Sequence, residues 1–198
     1  MAHLLIAVIY LAFISLGLPD SLLGSAWPTM TGELSVPLSY AGYISMTISA
    51  GTILSSLMSD RLTRRFGTGR LTAASVLLTA AALFGFSVSK SYPLLILWSV
   101  PYGLGAGSID AALNNYVALN YKSSHMSWLH CMWGVGTVVG PYVMGYALTS
   151  GMTWGAGYRI ISVMQALLGI AMLFSLPLWK TGSPVQKERS AATEKAPS

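Results

Sequence analysis

Residues 103–141 read GLGAGSIDAALNNYVALNYKSSHMSWLHCMWGVGTVVGP, a mostly apolar, glycine-rich run long enough to cross a bilayer twice. Asp110, Asn114 and Asn115 lie deep in its first half, and His130 lies near the start of its second. A carboxylate at bilayer depth costs roughly 2.5–3.5 kcal/mol on insertion scales, so it faces a protein interior or a water-filled cavity. The expectation is that this stretch lines a solute path.

Composition supports a membrane setting. The 198 residues are 54% hydrophobic and only 9% charged, whereas a soluble domain carries about 25% charged residues. The net charge of +5 does not indicate nucleic acid, because the basic residues lie between apolar spans rather than on an interleaved basic–aromatic face. The lone Cys131 gives no disulfide framework and reads as a small buried hydrophobe. Before the first apolar run stand only Met1, Ala2 and His3, with no basic region. We therefore expect a retained first helix rather than a cleaved signal peptide.

Six apolar spans can be drawn, near residues 4–30, 40–58, 71–88, 93–119, 127–149 and 158–179. Helices are expected throughout, because lipid leaves no other way to satisfy the backbone and the alternation of barrel strands is absent. Nine lysines and arginines follow the even-numbered spans, against Lys90 and Arg159 on the other side. The positive-inside rule then places both termini in the cytoplasm of a multi-pass plasma-membrane protein. Residues 180–198, polar and mixed in charge, read as a disordered cytoplasmic tail or linker.

The first span carries Asp20 beside Pro19, between Gly17 and Gly24. Proline removes a donor and clashes with the preceding turn, so a bend is expected there. Asp20 either faces a central cavity or caps a broken helix. In the fourth span Asp110 and Asn114 are four residues apart and share one face. Gly103, Gly107 and Ala111 keep the surface nearby small enough for another helix to approach closely. Asn114 reads as a solute ligand or as interhelical glue, and Asn115, roughly 100° round the helix, as structural. His130 and Trp133, three apart, share a face of the fifth span. For each, a role in the site stands beside a packing role. No lysine or arginine inside a span neutralises Asp20 and Asp110. A carboxylate without a cationic partner in low dielectric favours its protonated form. Two that ionise when a cavity opens to water form a proton-coupling device. No cofactor and no metal are implied.

After the second span comes SDRLTRRFGTGR, with Asp60 and Arg64 one helical turn apart and Arg61 and Arg65 beside them. The cluster sets topology through its charge, and it also reads as a cytoplasmic gating loop that latches helices in one state.

These residues together resemble the amino-terminal half of a major facilitator superfamily transporter, within the fucose permease-like branch of proton-coupled sugar symporters. The resemblance spans all six segments. It rests most specifically on GLGAGSIDAALNNYVAL followed by WLHCMWGVGTVVGP, with Asp110 and Asn114 in the fourth helix and Asp20 in the first. It implies a helical membrane fold of six spans in a three-plus-three repeat, and proton coupling and sugar binding by the two carboxylates. Some members carry glutamine at the position of His130 and asparagine at that of Trp133. In the loop after the second span Asp60 and Arg61 match the superfamily pattern, while Ser56 replaces a glycine and a later glycine is displaced to Gly67. Gly136, Gly140, Pro141 and Gly145 resemble a motif linked to antiporters, which keeps exchange open as a mechanism. The partners implied are the lipid bilayer, protons, a small polar solute and a second six-helix half. That half is a separate chain, a missing carboxy-terminal half, or a second copy. A truncated or non-transporting subunit or sensor, or an exporter of another small solute, is the alternative. An enzyme is not expected, because Gly-x-Gly-Asp, His-Glu-x-x-His and Gly-x-Ser-Gly protease motifs are absent from the sequence.

Overall fold

The break in the first membrane segment sets the geometry of everything near Asp20. A computed structural model of the chain describes residues 2–180. Within it α1 (Ala2–Asp20) ends and α2 (Leu22–Leu34) begins on either side of Ser21. Pro19, inside the last turn of α1, withdraws one backbone donor and disturbs the turn before it. The bend expected from Pro19 is therefore a one-residue break two positions later, at Ser21, whose backbone stays in the right-handed region.

Five more helices follow: α3 (Tyr40–Phe66), α4 (Thr68–Val88), α5 (Tyr92–Asn120), α6 (Ser123–Thr149) and α7 (Trp154–Phe174), then a 3-10 turn at Leu176–Lys180. Taking α1 and α2 as one segment from Leu4, five of the six segments are long and apolar enough to cross a membrane. The sixth, α6, matches α3 in length but carries Ser123, Ser124, His125 and His130 in its first turns. The tail expected past Lys180 lies outside the described residues.

One expectation needs correcting. The basic stretch after the second span is not a loop. Helix α3 continues through Asp60, Arg61, Arg64 and Arg65 to Phe66, and only Gly67 separates it from α4. Gly67 adopts φ +82°, a conformation that L side chains rarely enter, so one residue suffices to reverse the chain.

The helices pack mainly as α3 on α5, α1 on α6, α4 on α7 and α4 on α5. Exchanging the first three membrane segments with the last three turns the α3–α5 pair into the α6–α1 pair and returns α4–α7 to itself. The fold is thus a three-plus-three arrangement with inverted halves. Both exchanged seams are built the same way. Against α3, a Cβ at Gly103 or Gly107 would run into the carbonyls of Ile48 or Thr52. Against α1, a Cβ at Gly136 or Gly140 would run into those of Ile14 or Leu18. Backbones this close favour helix association where lipid gives no hydrophobic drive. Hydroxyls add to both seams: Ser56 Oγ donates to the Gly107 carbonyl at 3.3 Å, and Ser21 Oγ to that of Thr137 at 2.6 Å. Ser56, standing where the superfamily pattern has glycine, thus gains a cross-seam bond.

Behind the seams, Gln165 of α7 ties three helices together. Thr79 Oγ1 donates to its Oε1 at 2.6 Å, and its Nε2 donates to the Ser15 carbonyl at 2.7 Å. All three residues are buried, so both ends of this amide are satisfied where a free one would be costly. Where α2 ends, Trp154 Nε1 donates to Glu33 at 2.6 Å, pinning α2 to the start of α7.

Candidate solute site in the central cleft

Helices α1 and α5 make few contacts with each other, and a cleft runs between them with α3 and α6 as side walls. Two cavities lie along it. The inner one, about 330 Å³, is lined by Phe13, Leu16 and Asp20 of α1, Ile48 and Thr52 of α3, Tyr102, Ala106 and Asp110 of α5, and His130 and Trp133 of α6. The other, about 490 Å³, extends toward α2 past Trp27, Ser45 and Ser49. They share Asp20, Ile48 and Tyr102, which form the partition between them.

Asp20 holds the most connected position. As the last residue of α1 it sits at the helix break, yet its carboxylate faces the cleft and caps no helix end. Its Oδ1 accepts from the Tyr102 hydroxyl at 3.1 Å, and its Oδ2 accepts from Trp133 Nε1 at 2.8 Å. Donors from α5 and α6 thus meet on one carboxylate of α1. Asp110 is placed differently. Its Oδ1 accepts from Asn114 Nδ2, one turn along the same helix, at 2.9 Å. Asn114 is therefore a partner of the carboxylate rather than glue to another helix, and Asn115 is exposed beyond the cleft.

His130 is exposed to the cleft and meets the Phe13 ring edge-on, centroids 6.1 Å apart. Trp133 is 40% exposed, so its ring remains partly open to the cavity although its N–H is engaged. Cys131 corrects an expectation: it is exposed, not buried. Among the described residues, neither cavity is lined by lysine or arginine, and no cluster with metal-binding composition occurs.

Sequence reasoning missed Tyr102, Thr52 and Phe13. The signal for Tyr102 was present: Tyr102, Ala106, Asp110 and Asn114 recur every four residues and so lie along one face of α5. Thr52 and Phe13 carry no comparable mark, since only packing decides which face of an apolar helix meets the cleft.

The arginine cluster lies far from this site, at the end of α3. Arg64 pairs with Asp60, and both side chains are largely exposed, so the pair contributes little to stability. The Arg65 guanidinium sits 5.4 Å from the centre of the Phe66 ring. Among the described residues Arg61 and Arg65 have no carboxylate partner.

A six-helix bundle with inverted halves and a polar central cleft is a transporter half by architecture, and the sequence comparison decides its kinship. Residues 9–198 match the family described as the Major Facilitator Superfamily. The chain belongs to that superfamily. Among curated relatives, the multidrug export protein EmrB of Escherichia coli (strain K12) is 24% identical over 175 residues, covering 87% of this chain and 33% of that protein. The cis,cis-muconate transport protein of Acinetobacter baylyi is 22% identical over 175 residues, covering 85% of this chain and 41% of the relative. An MFS-type transporter of the acurin A biosynthesis cluster of Aspergillus aculeatus is 25% identical over 156 residues, covering 73% and 28%. The crystal structure of a peptide transporter POT (E310Q mutant) in complex with sulfate superposes with a TM-score of 0.69 at 18% identity, over 94% of this chain and 41% of that one. The chain thus spans between about a quarter and two fifths of the length of these proteins. It is a multi-pass membrane protein of a non-enzymatic transporter family, folded as half of the superfamily's architecture.

Proposed function

We propose that this chain forms the amino-terminal half of a secondary active transporter that moves a small polar solute by alternating access, coupled to protons. The central cleft carries the reading: one cavity brings Asp20, Asp110, His130 and Trp133 together from three helices. Asp20 takes the coupling proton. Asp110 and Asn114, His130 and Trp133 contact the solute, with Asp20 beside them. A sugar is the solute class that the fucose permease-like motifs imply, and the paired carboxylate and carboxamide of Asp110 and Asn114 suit its hydroxyl groups. Both termini face the cytoplasm, which puts Asp60, Arg61, Arg64 and Arg65 at the cytoplasmic end of α3, where they latch against a second six-helix half. That half is a carboxy-terminal continuation, a separate chain or a second copy.

Exchange is a second reading with support of its own. Gly136 and Gly140 of the antiporter-like motif set the α1–α6 seam directly beside Asp20, and one relative is named a multidrug exporter. A dicarboxylate like the muconate of another relative's name finds no lysine or arginine in this half of the cleft. The test is a counterflow panel on the assembled two-half transporter in proteoliposomes, with labelled hexoses, organic cations and dicarboxylates. The account expects exchange of a neutral hydroxyl-rich solute. Exchange of cations alone would replace the sugar reading with the exporter one, and exchange of dicarboxylates alone would overturn both.

A further inference from the structure

Asp20 is held by two donors with unequal chemistry. The Tyr102 hydroxyl, on a residue only 4% exposed, can rotate and become an acceptor; the Trp133 indole N–H can only donate. While Asp20 is ionised both donors are satisfied, at 3.1 and 2.8 Å. A proton added to Oδ2 leaves that oxygen a poor, uncharged acceptor with its own O–H, and the Trp133 bond is weakened. A proton added to Oδ1 is accommodated by the Tyr102 oxygen, and the Trp133 bond persists only as a weaker, uncharged one. In either case the change falls on Trp133.

The place of this junction gives the change a consequence. Asp20 and Tyr102 belong to the partition between the two cavities, and Trp133 lines the inner one beside them. Asp20 also ends α1 at the break before α2, so the tie joins a helix terminus to α5 and α6 rather than bracing a continuous helix. The geometry points to Trp133 and Tyr102 as positioning residues that form a charge-reading clamp on Asp20. The clamp closes the partition when Asp20 is ionised and releases Trp133 from it when Asp20 takes a proton. This inference rests on the proton-coupling reading above and names the parts that turn the proton into movement. Other titratable groups facing the same space are Asp110 and Tyr102 on α5 and His130 on α6; α2 and α3 contribute no titratable side chain to either cavity.

The clamp can be tested on the chain itself, without transport. The six tryptophans of the ¹⁵N-labelled protein in nanodiscs each give an indole N–H resonance, and Trp133→Phe assigns the one of interest. Between about pH 4 and pH 10, a window that covers perturbed carboxylates, the Trp133 signal is expected to shift through one transition. In Asp20→Asn it should stay at its low-pH position, with the other five signals in place as evidence of folding. In Tyr102→Phe the transition should persist with a larger shift, because the alternative acceptor is gone. A Trp133 signal that does not move, that moves as before in Asp20→Asn, or that stops moving in His130→Gln overturns the clamp. Failure of proton coupling itself reads differently: uptake by the assembled transporter would ignore a pH gradient while the Trp133 signal still titrated.

Discussion

Asp20 and Asp110 are both carboxylates on the cleft face of inverted halves, yet they are wired in opposite ways. Asp20 receives donors from two other helices, whereas Asp110 receives one from its own. A change of charge at Asp20 therefore alters how three helices are tied. The same change at Asp110 is felt by Asn114 on its own helix and by His130 across the cleft, and breaks no hydrogen bond between helices. The comparison separates two roles: Asp20 links the proton to helix arrangement, and Asp110 presents polarity to the solute.

The sharpest way to break this division is Asp20→Asn. It replaces a charged acceptor pair by one acceptor and one donor, removing a charge-assisted bond of about 1.5–3 kcal/mol. Uptake driven by a pH gradient should fall by at least about tenfold, since about 1.4 kcal/mol is a factor of ten, while solute counterflow continues. Next in size is Gly136→Ala. Its new Cβ would meet the Ile14 carbonyl and force α1 from α6, lowering stability by about 1–3 kcal/mol in thermal unfolding and weakening the Trp133–Asp20 bond with it. Asp110→Asn should be milder and of another kind. Because the cavity keeps a hydrogen-bonding group there, KM should rise about threefold to tenfold, on the order of 1 kcal/mol, with dependence on the pH gradient retained. Loss of that dependence in Asp110→Asn would show that the two carboxylates share the proton. Smallest is Gly145→Ala, which faces open space although it belongs to the same motif as Gly136; lying inside α6, it should raise stability by about 0.4–1 kcal/mol.

Much of this was legible in the chain. Span number, helical character and the pairing of Asp110 with Asn114 follow from apolar run length and a spacing of four. The glycines at 103 and 107 marked where a helix approaches, whereas those at 136 and 140 carried only the antiporter-like motif. Other features were hidden for physical reasons. The helix interruption falls at Ser21, where a backbone break leaves only Pro19 as its trace. The basic stretch looked like a loop because charge ends an apolar run, but helices extend beyond the bilayer, and α3 carries its arginines on about two further, largely exposed turns. The Asp20 clamp joins residues 82 and 113 positions apart, and no local pattern encodes such a meeting. The spacing of four put Tyr102 on the face of Asp110, but only the packing of α1 on α6 put it opposite Asp20.

The most direct test of the central claim is proton movement itself. Proteoliposomes holding the assembled transporter, with a pH-sensitive dye outside and no imposed gradient, should show a pH change on addition of the transported solute. Asp110→Asn should show the same change at higher solute concentration, and Asp20→Asn should show none while still exchanging solute. A wild-type transporter that takes up solute with no proton movement, or an Asp20→Asn variant that moves protons as the wild type does, would contradict the account.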